Sequence, residues 1–311
     1  MTTENAILIQ NLVKQYGKGG SDRGSSLALD NLNLAIPRGT IFGLLGPNGA
    51  GKSTLINILA GTVVKTSGEV RIMGASIDEY PKKARSSIGI VPQEVFFDTF
   101  FPIYQALEFY AGYYGIKPNQ RKTEEILRAL SLWDKKDTFP QRLSGGMKRR
   151  FLIAKAMVHS PSVLILDEPT AGVDLELRLQ LWEYVKTLNK QGMTIIITTH
   201  YLAEAQELCD EIAFINKGKI IKQDKKNKLL QDLGTRHIDV EFSGPVDSME
   251  LEFIKGAVER LSANILRFQV SATGDNYSKI LQNINKIGGE IKDLRVSQPD
   301  LEVIFHQIMQ E

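Results

Sequence analysis

Cysteine is all but missing: Cys209 is alone among 311 residues. No internal disulfide can form, and a chain of this kind is expected in a reducing compartment. Long apolar runs are missing too. None approaches the roughly 18 residues that a membrane span needs. Met1-Thr2-Thr3-Glu4-Asn5 has no basic segment leading into an apolar one, so no signal peptide is visible and a cytosolic chain is expected. Charge of one sign is lacking: 38 Lys and Arg face 36 Asp and Glu, a net +2. Without a strongly basic surface field, nucleic acid is not favoured as the main partner. Internal repeats and low-complexity tracts are absent.

What remains is ordinary in bulk, with 42% hydrophobic and 24% charged residues, as in soluble globular proteins. The length is too great for one small core and enough for two or three modules. Within it one stretch stands out: Gly46-Pro47-Asn48-Gly49-Ala50-Gly51-Lys52-Ser53-Thr54. An apolar run, Ile41-Phe42-Gly43-Leu44-Leu45, precedes it, and a helix-like run from Leu55 to Ala60 follows. Strand, glycine-rich turn and helix start are the context in which G-x-x-x-x-G-K-[ST] cradles phosphate. Glycines allow φ > 0 and bring backbone N–H groups close to an anion, and the helix adds its unpaired N–H groups and dipole. Lys52 supplies a mobile charge for the outer phosphates, and the Ser53 hydroxyl suits Mg²⁺. The loop is expected to bind a nucleoside triphosphate.

Patterning around the loop predicts strands over 6–14, 27–36, 69–73 and 87–91, helices over 104–114 and 121–132, and a flexible loop over 17–26. Val163-Leu164-Ile165-Leu166-Asp167 and Thr194-Ile195-Ile196-Ile197-Thr198 are short continuous apolar runs, as a parallel sheet covered on both faces requires. Ile212–Ile215 and Lys219–Ile221 flank Asn216-Lys217-Gly218, a hairpin signal. Beyond the charge cluster 224–228 the order reads strand 238–242, helix about 248–261, strand 265–272, helix 276–287, strand 290–297 and helix 300–310. That is a small α/β or α+β module, without visible chemistry. His237 and His306 are isolated and read as surface residues.

A triphosphate site also needs an acidic element. The run 163–167 ends in Asp167-Glu168, which places two carboxylates at a sheet's carboxyl edge, beside the phosphate loop if the two strands are neighbours. Asp167 is the Mg²⁺-side group, and Glu168 can orient an attacking water. Leu143-Ser144-Gly145-Gly146-Met147 is a second glycine-rich turn before a helix-like stretch, 148–158, and offers another anion site.

Taken in order, Gln93, Leu143-Ser144-Gly145-Gly146, Asp167-Glu168-Pro169-Thr170, Ala171-Gly172-Val173-Asp174 and Thr199-His200 resemble the ATP-binding cassette (ABC) ATPases. Within that family the chain is similar to the ATPase subunits of bacterial ABC-2-type exporters, and to a YadG-like subgroup of them. The similarity to that subgroup lies in 91–94, 111–115, 144–150 and 171–178. The cassette motifs span about 6–222, and the tail with Leu301-Glu302-Val303-Ile304-Phe305 resembles, less specifically, the extra domain of such subunits.

The resemblance implies an α/β fold of P-loop NTPase type. It comprises a RecA-like core, an antiparallel β subdomain and a helical subdomain (about 95–160) within residues 1–230, followed by an accessory α+β domain over 235–311. It implies ATP as ligand with Mg²⁺, Tyr16 stacking on adenine, and Gln93 in the Mg²⁺ and water shell. Ser144, Gly145 and Gly146 would contact ATP bound to a second copy, Asp174 would lie at the interface, and His200 would hold the γ-phosphate, Glu168 and water in line. Two departures appear, Met147 where glutamine is common and Leu175 where proline often follows the aspartate; the groups needed for chemistry remain. The lengthened 17–26 loop leaves the adenine-stacking position open.

The expected function is that of an ATP-hydrolysing subunit, homodimeric and driving a separate polytopic ABC-2-type permease. The chain would sit peripherally on the cytoplasmic face of the inner membrane. The rings Phe96, Phe97, Phe100, Phe101 and Tyr104 to Tyr114 fall where the family receives the permease's coupling helix, although at least half are expected to fill the helical core. The alternative is a soluble ABC ATPase in a non-transport role. It is disfavoured because neither a second cassette nor an inserted coiled coil is present. A non-hydrolysing cassette is disfavoured by Lys52, Asp167, Glu168 and His200.

Overall fold

A computed structural model of the protein describes residues 5–17, 26–93, 100–171, 173–234, 236–246, 258–270, 280–282, 284–285, 289–297 and 300–310. The chain divides into two compact units, Met1–Gln223 and Asp224–Glu311. No helix among the described residues is long and apolar enough to cross a membrane.

The first unit opens with two long antiparallel strands, β1 (Asn5–Tyr16) and β2 (Ser26–Pro37). Strand β3 (Ile41–Leu45) follows and feeds the glycine loop into helix α1 (Lys52–Ala60). Strand β4 (Ser67–Ile72) then returns to β1 and β5 (Ala75–Ser76) pairs with β4, giving a four-stranded sheet in the order β2-β1-β4-β5. The expected loop at 17–26 is largely, from 18 to 25, outside the described residues.

After the short helix α2 (Pro81–Ser86), strand β6 (Ile88–Val91) enters a second sheet. That sheet also holds β7 (Val163–Asp167), β8 (Thr194–Thr199), β9 (Glu211–Asn216) and β10 (Lys219–Lys225), in the order β10-β9-β3-β8-β7-β6. The pairs β3–β8, β3–β9, β7–β8 and β6–β7 are parallel. Every residue of β3 and β8 is buried, which accounts for their unbroken apolar reading. The loop strand and the acidic strand are not neighbours as the sequence reading required: β8 lies between them. At the far side, Lys217 and Gly218 join β9 to β10 with φ of 46° and 77°. Two positive φ values are what a type I′ hairpin turn demands.

Between β6 and β7 run helices α3 (Ile103–Tyr113), α4 (Thr123–Ala129) and α5 (Gly145–Met157). Helix α4 stops short of the expected 132 because Ser131 takes φ 53°. There Ser131 N–H donates to Arg128 O at 3.0 Å and Leu132 N–H to Leu127 O at 2.8 Å, a Schellman ending with serine in the left-handed place. The helical core is aliphatic, formed by Ile103, Leu107, Ile126, Leu127 and Leu132. The aromatic rings do not fill it as expected. Phe100 is 80% exposed and Tyr113 85%, with Phe109 and Tyr114 about half exposed. Phe101, Tyr104 and Tyr110 are partly buried, while Phe96 and Phe97 lie outside the described residues. Helix periodicity explains the difference: the small and aliphatic residues at 103, 106, 107 and 111 make one stripe, and the rings fall off it.

Helices α6 (Leu175–Lys190) and α7 (Leu202–Leu208) complete this unit. The second unit begins with helix α8 (Lys226–Asp232) and contains β11 (Arg236–Phe242), β12 (Val258–Arg260), β13 (Ile265–Val270), β14 (Ile291–Ser297) and helix α9 (Leu301–Gln310). Its antiparallel sheet has the order β12-β13-β11-β14. Ile238, Val240, Phe242, Leu266 and Phe268 form its core with Ile280 and Ile284 from helical residues 280–282 and 284–285. The helix expected over about 248–261 gives way at its end to β12, which pairs with β13; residues 247–257 lie outside the described residues. His237 is half-buried and His306 exposed, and no group of three His, Cys, Asp or Glu among the described residues could hold a metal.

Candidate functional site

The carboxyl ends of four strands deliver the candidate residues to one edge of the parallel sheet: the glycine loop after β3, Gln93 after β6, Asp167 and Glu168 at β7, and His200 after β8. In open α/β sheets this edge is where ligands bind.

The loop is held from beneath and open above. Gly46 has no room for a side chain, since a Cβ there would lie 2.2 Å from Ile215 O. Gly51 takes φ 110° against Ala28 O, and the hairpin turn braces the loop through Gly218 N–H to Ala50 O at 2.9 Å. Pro47, Asn48 and Gly49 form the exposed tip. At Gly49 a Cβ would meet nothing within 4 Å, so its φ of 79° and not packing selects glycine. Helix α1 then starts with Lys52 buried, Ser53 exposed and Thr54 partly so. The Lys52 ammonium donates to Gly46 O at 2.6 Å and Pro47 O at 3.0 Å. Burial pulls its pKa below the ordinary lysine value, and the carboxylates of Glu168 and Asp167 push back. The two acidic groups therefore share the field of the lysine although β8 intervenes.

Glu168 sits at the centre of the other half. Its carboxylate accepts from Gln93 Nε2 at 3.0 Å on one oxygen and lies 3.2 Å from His200 Nδ1 on the other. Its backbone is left-handed, φ 46°, a conformation that is costly for a residue with a side chain. Compensation comes from its N–H, which donates to Thr198 O at 2.9 Å and Thr198 Oγ1 at 3.2 Å. The same Thr198 hydroxyl donates to the Asp167 carboxylate. Threonine at 198 thus fixes both acidic residues, a role that the sequence reading missed because the residue passed as one more strand position.

A second residue escaped it. Arg149 on α5 is only 6% exposed and donates to five backbone carbonyls. These are Pro92 O (2.8 Å) and Gln93 O (3.1 Å) after β6, and Asp167 O (2.7 Å), Glu168 O (3.0 Å) and Pro169 O (3.1 Å) at the end of β7. Burial lowers its pKa from the ordinary arginine value, opposed by Asp167, Glu204 and Glu168. Behind the edge, Trp182 Nε1 donates to the buried Glu204 at 3.1 Å, and burial pushes that carboxyl up.

The remaining candidates lie on other elements. Ser144 caps α5, its hydroxyl accepting from Met147 N–H at 3.4 Å, with Ser144 and Gly145 exposed and Gly146 buried. Asp174 is exposed just before α6, and its carbonyl accepts from Arg178 N–H at 3.0 Å. Tyr16 ends β1, 42% exposed, with the Lys14 ammonium 4.6 Å above its ring. It pairs with Ser26, on the strand that carries Ala28 to Gly51.

The donor set fits a magnesium nucleotide. A hydroxyl, a carboxylate and an amide carbonyl at Ser53, Asp167 and Gln93 are hard oxygen ligands, too few for a closed cage, and Mg²⁺ takes the rest of its shell from phosphate and water. When bound, the ion would neutralise phosphate charge.

The comparisons agree. The ABC transporter family model matches residues 29–171. The linearmycin resistance ATP-binding protein of Bacillus subtilis is 34% identical over 305 residues, 95% of this chain and 96% of the relative. The Nod factor export ATP-binding protein I of Ralstonia nicotianae is 34% identical over 235 residues, 75% of this chain and 71% of the relative. Among solved structures, a dimeric ATP-binding cassette in a post-hydrolysis state with ADP and Pi is 27% identical, covers 71% of this chain and 98% of its own, and has a TM-score of 0.63. The cbiO1 protein of Clostridium perfringens, part of the ABC transporter complex cbiONQ, is 31% identical, covers 73% of this chain and 90% of its own, and has a TM-score of 0.62. The chain belongs to the ATP-binding, ATP-hydrolysing subunits of ABC transporters.

Proposed function

We propose that this chain powers an ABC-2-type exporter. Two copies meet head to tail and sandwich two Mg-ATP, and a separate polytopic permease holds them at the cytoplasmic face of the membrane. Residues 1–230 are the cassette and 235–311 an accessory domain. Lys52 and the loop N–H groups hold the outer phosphates, Ser53, Asp167 and Gln93 serve Mg²⁺, and Tyr16 supplies a ring for adenine. Glu168, held between Gln93 and His200, accepts a hydrogen bond from the attacking water and orients it. The names of the two relatives, one for resistance and one for export, support the direction of transport.

The observation that carries the sandwich is Gly145. It lies exposed at the head of α5, its φ is not left-handed, and a Cβ there would meet nothing within 4 Å. Among the described residues nothing calls for glycine there, so the bare backbone is suited to something arriving from outside, and a helix N-terminus favours an anion.

The test is Glu168→Gln with Mg-ATP. It should bind nucleotide, turn over at least 100-fold more slowly, a loss of the size seen when an acid–base group is removed, and run as a dimer on gel filtration. Adding Gly145→Asp should return the monomer with nucleotide still bound. A monomer for Glu168→Gln itself, saturated with Mg-ATP, would overturn the reading.

A further inference from the structure

The pair Gln93–Glu168 is tied twice, once through side chains and once through backbone carbonyls that converge on Arg149. All three guanidinium nitrogens take part: Nε to Pro169 O, Nη1 to Pro92 O and Gln93 O, Nη2 to Asp167 O and Glu168 O. A planar fork of five N–H donors can span two chain segments in this way; a lysine ammonium, with three donors at one point, cannot. The fork is rooted on α5, whose first residue is Gly145 and whose cap is Ser144. At about 1.5 Å of rise per residue, the turn and Arg149 are roughly 6 Å apart along one stiff helical rod.

We propose that Arg149 is a positioning residue that links the two half-sites of one chain, carrying displacement of the Ser144-Gly145-Gly146 turn to the frame of Gln93 and Glu168. The inference rests on the two-copy sandwich. There the turn touches the triphosphate held by the partner, while Gln93 and Glu168 serve the triphosphate held by the chain itself. Any shift of α5 on engagement moves five carbonyls together, and with them the bond between Gln93 Nε2 and Glu168. The chain's own site is then set for hydrolysis when the opposite site is occupied. Coupling between sites is reciprocal, so it shows as cooperativity in ATP.

The full-length protein carries the test. Wild type is expected to hydrolyse ATP with a Hill coefficient above 1. Arg149→Lys keeps the charge and loses the fork. It should lower kcat at least tenfold and bring the Hill coefficient to 1, with the affinity for a fluorescent ATP analogue changed less than about twofold. If Arg149 acts through Gln93, the losses from Arg149→Lys and Gln93→Ala should not add: the double variant should be no slower than the slower single one. Should Arg149→Lys fail to fold, Lys148→Gly softens the rod between the turn and Arg149 and leaves the fork in place, and it should abolish cooperativity alone. Wild-type kcat and Hill coefficient in Arg149→Lys, additive losses, or unchanged cooperativity in the softened rod would each overturn the proposal. A Glu168→Gln protein that stays monomeric with Mg-ATP removes the sandwich and this link together. A normal Glu168→Gln dimer beside an indifferent Arg149→Lys removes the link alone.

Discussion

Lys52 stands in a place that disfavours its charge. The ammonium is buried against Gly46 O and Pro47 O, and burial holds its pKa below the ordinary lysine value. Between that lowered value and the unfolded one, the unfolded chain binds more protons. This lysine therefore costs stability below that window, and the cost lifts as pH rises through it. Phosphate beside the nitrogen favours the charged form, so ATP binding takes up a proton in the same window. Affinity for a fluorescent ATP analogue should weaken as pH climbs through the free protein's Lys52 pKa. Lys52→Ala should bind about 10- to 100-fold more weakly, the worth of a charge-assisted hydrogen bond, with a flat profile there. A pH slope that survives Lys52→Ala would assign the proton to another group. Lys52 was legible because its role is written in contiguous residues, 46–54. Arg149 was not: its acceptors are carbonyls as far as 57 positions away, and carbonyls belong to every residue type. Thr198 was hidden for a related reason, since its hydroxyl earns meaning only from a neighbouring strand.

Among the elements, α3 shows how far patterning reaches. Its helical period was readable, and it ends where expected, within a residue. Which side would be covered was not, because rings and aliphatics are both apolar and only packing separates them. The outcome divides the helix into two kinds of position. Leu107 is fully buried, and Leu107→Ala should cost 2–5 kcal/mol, the usual range for a core cavity, measurable by urea unfolding. Tyr113 is 85% exposed, and Tyr113→Ala should change stability by less than about 0.5 kcal/mol. If the exposed rings 100, 109 and 113 meet the permease, Phe100→Ala with Tyr113→Ala should reduce recovery of the chain with membranes while leaving ATP turnover of the free protein unchanged. Equal recovery would move the docking surface elsewhere. Strands β3, β7 and β8 were legible for the opposite reason: buried on both faces, they leave no polar phase to misread. Strand β12, three residues long with two exposed, carries too little pattern to be separated from the end of a helix.

Across the whole molecule, each unit holds a cluster of buried apolar residues. One cluster gathers Ile7, Phe42, Leu55 and Ile165 among others, and the second gathers Val240, Phe242 and Phe268, with no residue in common. The charge cluster at 224–228 marked the change of composition, and the contacts divide between Gln223 and Asp224. Two cores without shared members should unfold as two transitions, each answering to its own perturbation. Mg-ATP at 100 times its Kd binds the loop of the first unit and should stabilise that transition by about 2.7 kcal/mol. Phe268→Ala removes a buried ring from the second core and should lower only the other transition, by about 3–5 kcal/mol, with the nucleotide Kd unchanged. Calorimetry of the full chain with and without nucleotide separates the cases. One transition that responded to both ligand and mutation would mean that the units stand or fall together, and that the second unit is built into the ATP-driven cycle of the first.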